Sequence, residues 1–170
     1  FDDALKLDPR FLEARNNRGV VLLEQGSLDA SEAEFRQVVD AGPGAERKNA
    51  YFNLGLVQKK RGLDAEAEKL FTLVLQDDGK MVRARRERGL LRMKRDDFDG
   101  AGDDLITVLK VDVNDAVAAY NAALCLLAGD PPRRDLAVAY MEMAAKAAPE
   151  SDEGQKAKRF LQREAEIGKR

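Results

Sequence analysis

The sequence predicts an all-α solenoid built from stacked helix–turn–helix units, and three observations predict it. A small residue recurs inside helical patterns, as Gly19, Gly55, Gly89 and Ala123, at spacings of 36, 34 and 34. Fixed offsets recur around it: alanine five residues before (Ala14, Ala50, Ala84, Ala118) and a branched apolar residue one after (Val20, Leu56, Leu90, Leu124). Between successive landmarks lie two amphipathic stretches separated by turn residues. One such unit cannot bury its apolar face alone; stacking buries it, and a period of this length marks a stacked array.

Residues 1–9 are expected to end a preceding repeat. Phe1, Ala4 and Leu5 are helically spaced, and Leu7-Asp8-Pro9 is a stop signal. The chain is accordingly expected to be a piece of a longer protein. Repeat 1 spans 10–44, with Phe35 and Val38 sixteen and nineteen residues after its landmark. Gly42-Pro43-Gly44 is expected to stop a helix and lengthen the connection, which accounts for the wider first spacing. Repeat 2 (45–79) repeats the pattern with Phe71 and Val74, and repeat 3 (80–113) with Leu105 and Val108. Repeat 4 (114–150) has two extra residues, assigned to the loop Gly129-Asp130-Pro131-Pro132, so that Ala137, Met141 and Ala144 stand for Ala67, Phe71 and Val74. Residues 151–170 are expected to form a capping helix. Ser151 or Asp152 caps it, Ala157, Phe160, Leu161 and Ala165 make its apolar stripe, and Lys156, Lys158, Arg159, Gln162, Arg163 and Glu166 cover the rest. All of this reads as one solenoid domain, 1–170.

Glycine in a helix interior costs roughly 1 kcal/mol relative to alanine. Three glycines in one register therefore point to close approach of a neighbouring helix. A correlation pairs the helices. The residues before the landmarks are Arg18, Leu54, Arg88 and Ala122; those near the middle of the second helices are Glu34, Leu70, Asp104 and Tyr140. Charge meets opposite charge and apolar meets apolar, so each pair is expected to touch within its repeat.

The order small residue, large residue, turn, alanine, aromatic, apolar residue, proline resembles the tetratricopeptide repeat family from Phe1 to about Ser151. Leu7-Asp8-Pro9, Pro43 and Pro149 look like closing segments. Ser31 stands where the family favours alanine, Gly79 and Val113 where it favours proline. Its frequent aromatic early in the first helix is here Arg15, Tyr51, Arg85 and Ala119. The resemblance implies a right-handed superhelix whose first helices line a concave groove for extended peptides or helices. Carried over by offset, that groove comprises Asn16, Asn17, Phe52, Asn53, Lys59, Arg83, Arg86, Met93, Lys94, Tyr120, Asn121 and Leu127, above a floor of Val20, Leu56, Leu90 and Leu124. The amides suit a partner's backbone and the floor suits an amphipathic partner. A family groove that grips a C-terminal carboxylate is not matched: its positions fall on Asn16, Val20, Asn53, Arg83 and Glu87, and Glu87 has the wrong charge.

Repeat 3 carries eight basic residues from Lys80 to Arg95, interrupted by Glu87 and followed by Asp96, Asp97, Asp99, Asp103 and Asp104. Arg88 and Arg92 are expected to pair with these aspartates. Arg83, Arg86 and Lys94 are a candidate belt for an acidic stretch of a partner. Nucleic acid is not expected, because no aromatics interleave the belt and the aspartates repel phosphate.

The remaining composition excludes classes. The chain has 29 basic and 31 acidic residues and no histidine, which removes the commonest general base and metal ligand. Cys125, the single cysteine, lies on an Ala- and Leu-rich helix and reads as a small core residue. Gly100-Ala101-Gly102 lies inside a helix and forms no phosphate loop. No catalytic, metal or cofactor site is expected, and no run approaches the ~20 apolar residues of a membrane span. The expected function is a scaffold or adaptor that holds a protein or peptide, amphipathic with an acidic stretch. The alternative is a structural, self-associating segment of a longer solenoid. The Ala-, Arg- and Asp-rich style has a bacterial cast, and bacterial members of the family commonly serve multiprotein assemblies.

Overall fold

The computed structural model describes residues 1–167, and the last three residues of the expected capping helix lie outside that range. Ten α-helices and no strand occur among the described residues. They form two compact units, residues 1–84 and a second from Arg85 onward.

The first unit holds α1 (Asp2–Leu7), α2 (Leu12–Glu24), α3 (Leu28–Ala41), α4 (Gly44–Lys60) and α5 (Asp64–Asp77). Each helix packs on the next, and α2 also touches α4. The boundary falls in the first turn of α6 (Val82–Lys94). The second unit continues with α7 (Phe98–Leu109), α8 (Ala116–Ala128), α9 (Arg134–Ala147) and α10 (Asp152–Ile167). There α7 packs on α8, α8 on α9, and α10 on both α9 and α8.

The landmark glycines mark close approach. A Cβ built on Gly19 would lie 2.6 Å from Phe35 Cε1, and one on Gly55 would lie 2.6 Å from Phe71 Cε1. Both rings are wholly buried. At Gly89 the nearest atom is Leu105 Cγ, at 3.0 Å. The fourth register position carries Ala123 and Met141, both buried. An unbranched, adaptable methionine tolerates a neighbour's Cβ better than a flat ring edge does.

The first helices of repeats 1 to 3 end in the same way. The residue seven after each landmark has positive φ: Gly26 at 79°, Gly62 at 77° and Asp96 at 64°. In each case the next N–H reaches back to the carbonyl five residues earlier: Ser27 to Leu22, Leu63 to Gln58 and Asp97 to Arg92, at 2.9 to 3.0 Å. This left-handed cap satisfies carbonyls the helix leaves open. Repeat 4 replaces it with the loop after α8, as expected.

The extra residues of the first interval fall elsewhere than expected. Gly42-Pro43 does end α3, but α4 begins at Gly44 and runs 17 residues, against 13 for α2, α6 and α8. The insertion lengthens the helix and not the connection. Ala45 through Lys48 are good helix formers, and the Arg47 side chain donates to the carbonyls of Val39 and Gly42, closing the end of α3.

Ser31 is also accounted for. Its buried hydroxyl donates to the Gly19 carbonyl at 2.8 Å, so the polar atom is satisfied inside the pair. Ala67, Ala101 and Ala137 fill the equivalent places without a polar atom. At α10, Ser151 is the cap, its Oγ accepting from the Gly154 N–H at 3.1 Å.

Candidate functional site

The intra-repeat pairs decide which charges face outward. Arg18 donates to Glu34 at 2.7 Å, and Arg15 adds a second bond to the same carboxylate at 3.2 Å. Arg88 grips Asp104 with two nitrogens, each at 2.8 Å. Arg92 and Arg85 reach that carboxylate at 3.1 and 3.4 Å. Asp104 is 2% exposed, so three guanidiniums offset the desolvation of one buried acid. Leu54 joins the core cluster of the first unit, and Leu70 packs against that cluster.

In the first unit, the sequence-derived groove residues largely satisfy one another. Phe52 is buried; its ring packs tilted on Phe71 with centroids 5.6 Å apart, and the Arg83 guanidinium lies over it, 4.8 Å from the ring centroid. It is a core residue, not a presented aromatic. Asn53, also buried, donates its amide to Asn16 at 2.9 Å, bridging α2 and α4. Asn17 is half-buried, as is Lys59, which has its own partner. Val20 and Leu56 pack against the core cluster.

The second unit divides differently. Arg86 donates to Asp115 at 2.9 Å. The other Asp115 oxygen accepts from the Ala118 N–H at 2.9 Å and caps α8. Arg86 is thereby held by a buried acid, so its charge is matched within the fold, and Lys94 has an interaction of its own. Asn121 turns its amide back to the Val117 carbonyl at 2.8 Å. Met93 and Leu127 are half-buried.

Tyr120 opens onto something the sequence reading did not assemble. It lines a cleft of about 270 Å³ together with Leu124, Met141 and Phe160, under Lys156, Arg159 and Arg163. The Lys156 ammonium lies 6.0 Å from the Tyr120 ring centroid and pairs with Asp152, whose carboxylate raises its pKa. Among the described residues, the hydrogen bond Arg159 makes is to the Gln155 carbonyl, at 3.4 Å. In sequence these cations fall on the polar face of the capping helix. One signal could have placed them: Ala157 lies 34 residues after Ala123 and is fully buried, so α10 occupies a fifth first-helix register.

Cys125 is buried, and burial pushes its thiol up to about 11, so it is protonated at neutral pH. Among the described residues no cluster of three metal-ligating side chains occurs, and no helix is long and apolar enough to cross a membrane.

Residues 1–46 match the family profile of the tetratricopeptide repeat. The array superposes on solved structures of the same kind over nearly its whole length. With YrrB, described as a TPR protein with an unusual peptide-binding site, it shares 22% identity at TM-score 0.70, covering 93% of this chain and 79% of that one. The helix pairs share the fold of tetratricopeptide repeats. Pseudomonas aeruginosa pilF aligns at TM-score 0.81 and 22% identity, covering 92% of this chain and 70% of that one. MamA aligns at TM-score 0.72 and 20% identity, covering 92% and 86%. Among curated protein sequences none matches the chain. In tetratricopeptide terms, the buried Phe52 and Asn53 belong to the packing of the repeats, whereas Tyr120 and Leu124 border open space.

Proposed function

We propose that this tetratricopeptide-repeat chain is a protein-interaction scaffold that holds a peptide or helix of a partner on the first-helix surface of its second unit. The observation that carries the reading is the cleft at Tyr120 and Leu124. These residues hold the offsets that Phe52 and Leu56 hold in the first unit, yet they line an open, apolar-floored recess. Recesses of this kind suit an apolar anchor from a partner. YrrB, a similar structure, is described as having a peptide-binding site, which agrees with such a use of the fold.

The test is affinity capture from a lysate of the source organism with the parent chain and a Tyr120→Ala/Leu124→Ala variant of matched circular dichroism. The proposal expects a partner, identified by mass spectrometry, that the parent retains and the variant loses. Equal capture by both would move the binding surface elsewhere.

A second reading has its own support. Phe52 and Asn53 are buried by neighbours in their own unit, which suits a spacer that extends an array or self-associates. Concentration-dependent dimerisation in sedimentation velocity, with no captured partner, would favour it.

A further inference from the structure

We infer that the α8–α10 cleft recognises an acidic protein segment carrying one large apolar anchor. This rests on the scaffold reading above and specifies the partner's chemistry. Three features of the cleft carry it.

The first is charge. Lys156, Arg159 and Arg163 stand at i, i+3 and i+7 on one face of α10, and no acid lines the cleft. Like charges at such spacings repel along a helix. The available acids do not cancel them. Glu164, on the same turn as Arg163, is held by Arg134 through two bonds of 2.6 and 2.8 Å. Asp152 neutralises Lys156 alone. Arg163 has no ion pair among the described residues. A partner's carboxylates would relieve this repulsion.

The second is shape. Tyr120, Leu124 and Phe160 form a recessed apolar floor. At about 270 Å³ the cleft lies just below the range of small-molecule sites, roughly 300–1,000 Å³. That size suits a side chain of a longer segment. A recess also favours a protein over a membrane surface, which needs apolar side chains that protrude into lipid.

The third is precedent inside the molecule. At the register position before the landmark, Arg18 receives Glu34 and Arg88 receives Asp104. Lys156 stands at that position in α10. Its present acid, Asp152, lies on its own helix, so a partner acid there would add the pairing between helices by which the array joins its own.

The test uses fluorescence anisotropy with a short fluorescein-labelled peptide, a single central leucine flanked by glutamates. Control peptides carry glutamine for glutamate, or glycine for leucine. Arg159 and Arg163 are exposed, so Arg159→Glu/Arg163→Glu is expected to fold as the parent does, and circular dichroism checks this. The expected result is saturable binding to the parent, weakened about tenfold by the double reversal, about 1.4 kcal/mol, and weakened by each control peptide. Added salt weakens it further. Equal binding to parent and variant would overturn the inference while leaving the scaffold reading intact. So would a preference for the glutamine peptide, or failure of the acidic peptide to bind a chain that still captures a Tyr120-dependent partner. Sedimentation with anionic phosphatidylserine vesicles that depends on Arg159 and Arg163, without peptide binding, would reassign the cleft to membranes.

Discussion

Replacing Gly55 with alanine sets two effects against each other. Intrinsic helix propensity favours the change by roughly 1 kcal/mol. The fold opposes it, because the new Cβ would lie 2.6, 2.9 and 2.9 Å from Cε1, Cδ1 and Cζ of Phe71. Three atoms of one rigid ring edge are met at once, and the ring is 0% exposed, so it has no free volume to enter. Overpacking of this kind costs about 1–3 kcal/mol, and a trapped ring belongs in the upper part of that range. The expected net effect is a loss of about 1–2 kcal/mol. Urea denaturation followed by circular dichroism, with linear extrapolation, measures it. A Phe71→Leu change in the Gly55→Ala background supplies the internal control, because the third repeat already uses leucine at that place. The double mutant is expected to be more stable than the sum of the singles implies, by about 0.5 kcal/mol or more. If Gly55→Ala instead gains about 1 kcal/mol, propensity has won, and close approach is not what keeps glycine in the register.

Other expectations follow from the same packing. Asp104→Leu is expected to cost about 3 kcal/mol, since it removes the buried carboxylate that Arg88 grips with two nitrogens and that Arg85 and Arg92 also reach. Adding Arg88→Leu should recover part of that loss, as Leu54 and Leu70 hold the same offsets in repeat 2 while Arg85 and Arg92 still lose a partner; a double mutant as unstable as the single would refute the pairing argument. Asp96→Gly is expected to stabilise by about 0.5–1 kcal/mol, because a non-glycine residue sits at a φ of 64°. Gly62→Ala should destabilise by about 1 kcal/mol through the backbone alone, as nothing lies within 4 Å of its added Cβ. Thermal or urea unfolding reads both, and equal signs for the two would be inconsistent with a left-handed cap. The hydrogen bond from Lys48 holds the Asp78 carboxyl below its ordinary 3.8. Its contribution is present above that value and is lost as pH falls through the lower folded midpoint. Lys48→Met is expected to move the Asp78 midpoint upward in a carboxyl NMR titration, and an unmoved midpoint would exclude Lys48 as the cause.

Much of this architecture was legible in the sequence because helix pairing is local. The two helices of a repeat are joined by a short turn, so an offset within the repeat translates directly into contact. That is why Arg18 meets Glu34, Arg88 meets Asp104, and the register glycines face Phe35 and Phe71. The left-handed caps at Gly26, Gly62 and Asp96 were equally regular, but a recurring residue type marked only two of them. Asp96 hid the third, because its place shows in φ and not in composition.

What only the tertiary structure decided is which groove residues are occupied by the protein itself. An offset places a side chain on a helix face; it does not say how far neighbouring side chains close over it. Phe52 and Tyr120 share one offset, yet Phe52 is covered by Phe71 and Arg83, whereas Tyr120 borders a cleft. Arg86 stood out in sequence as part of a basic belt, but Asp115, 29 residues away, claims its charge. The cations of α10 reach that cleft through the packing of α10 on α8. Burial and charge matching depend on every neighbour at once, so sequence period determined the helices and their pairing, and three-dimensional packing determined the surface left open to a partner.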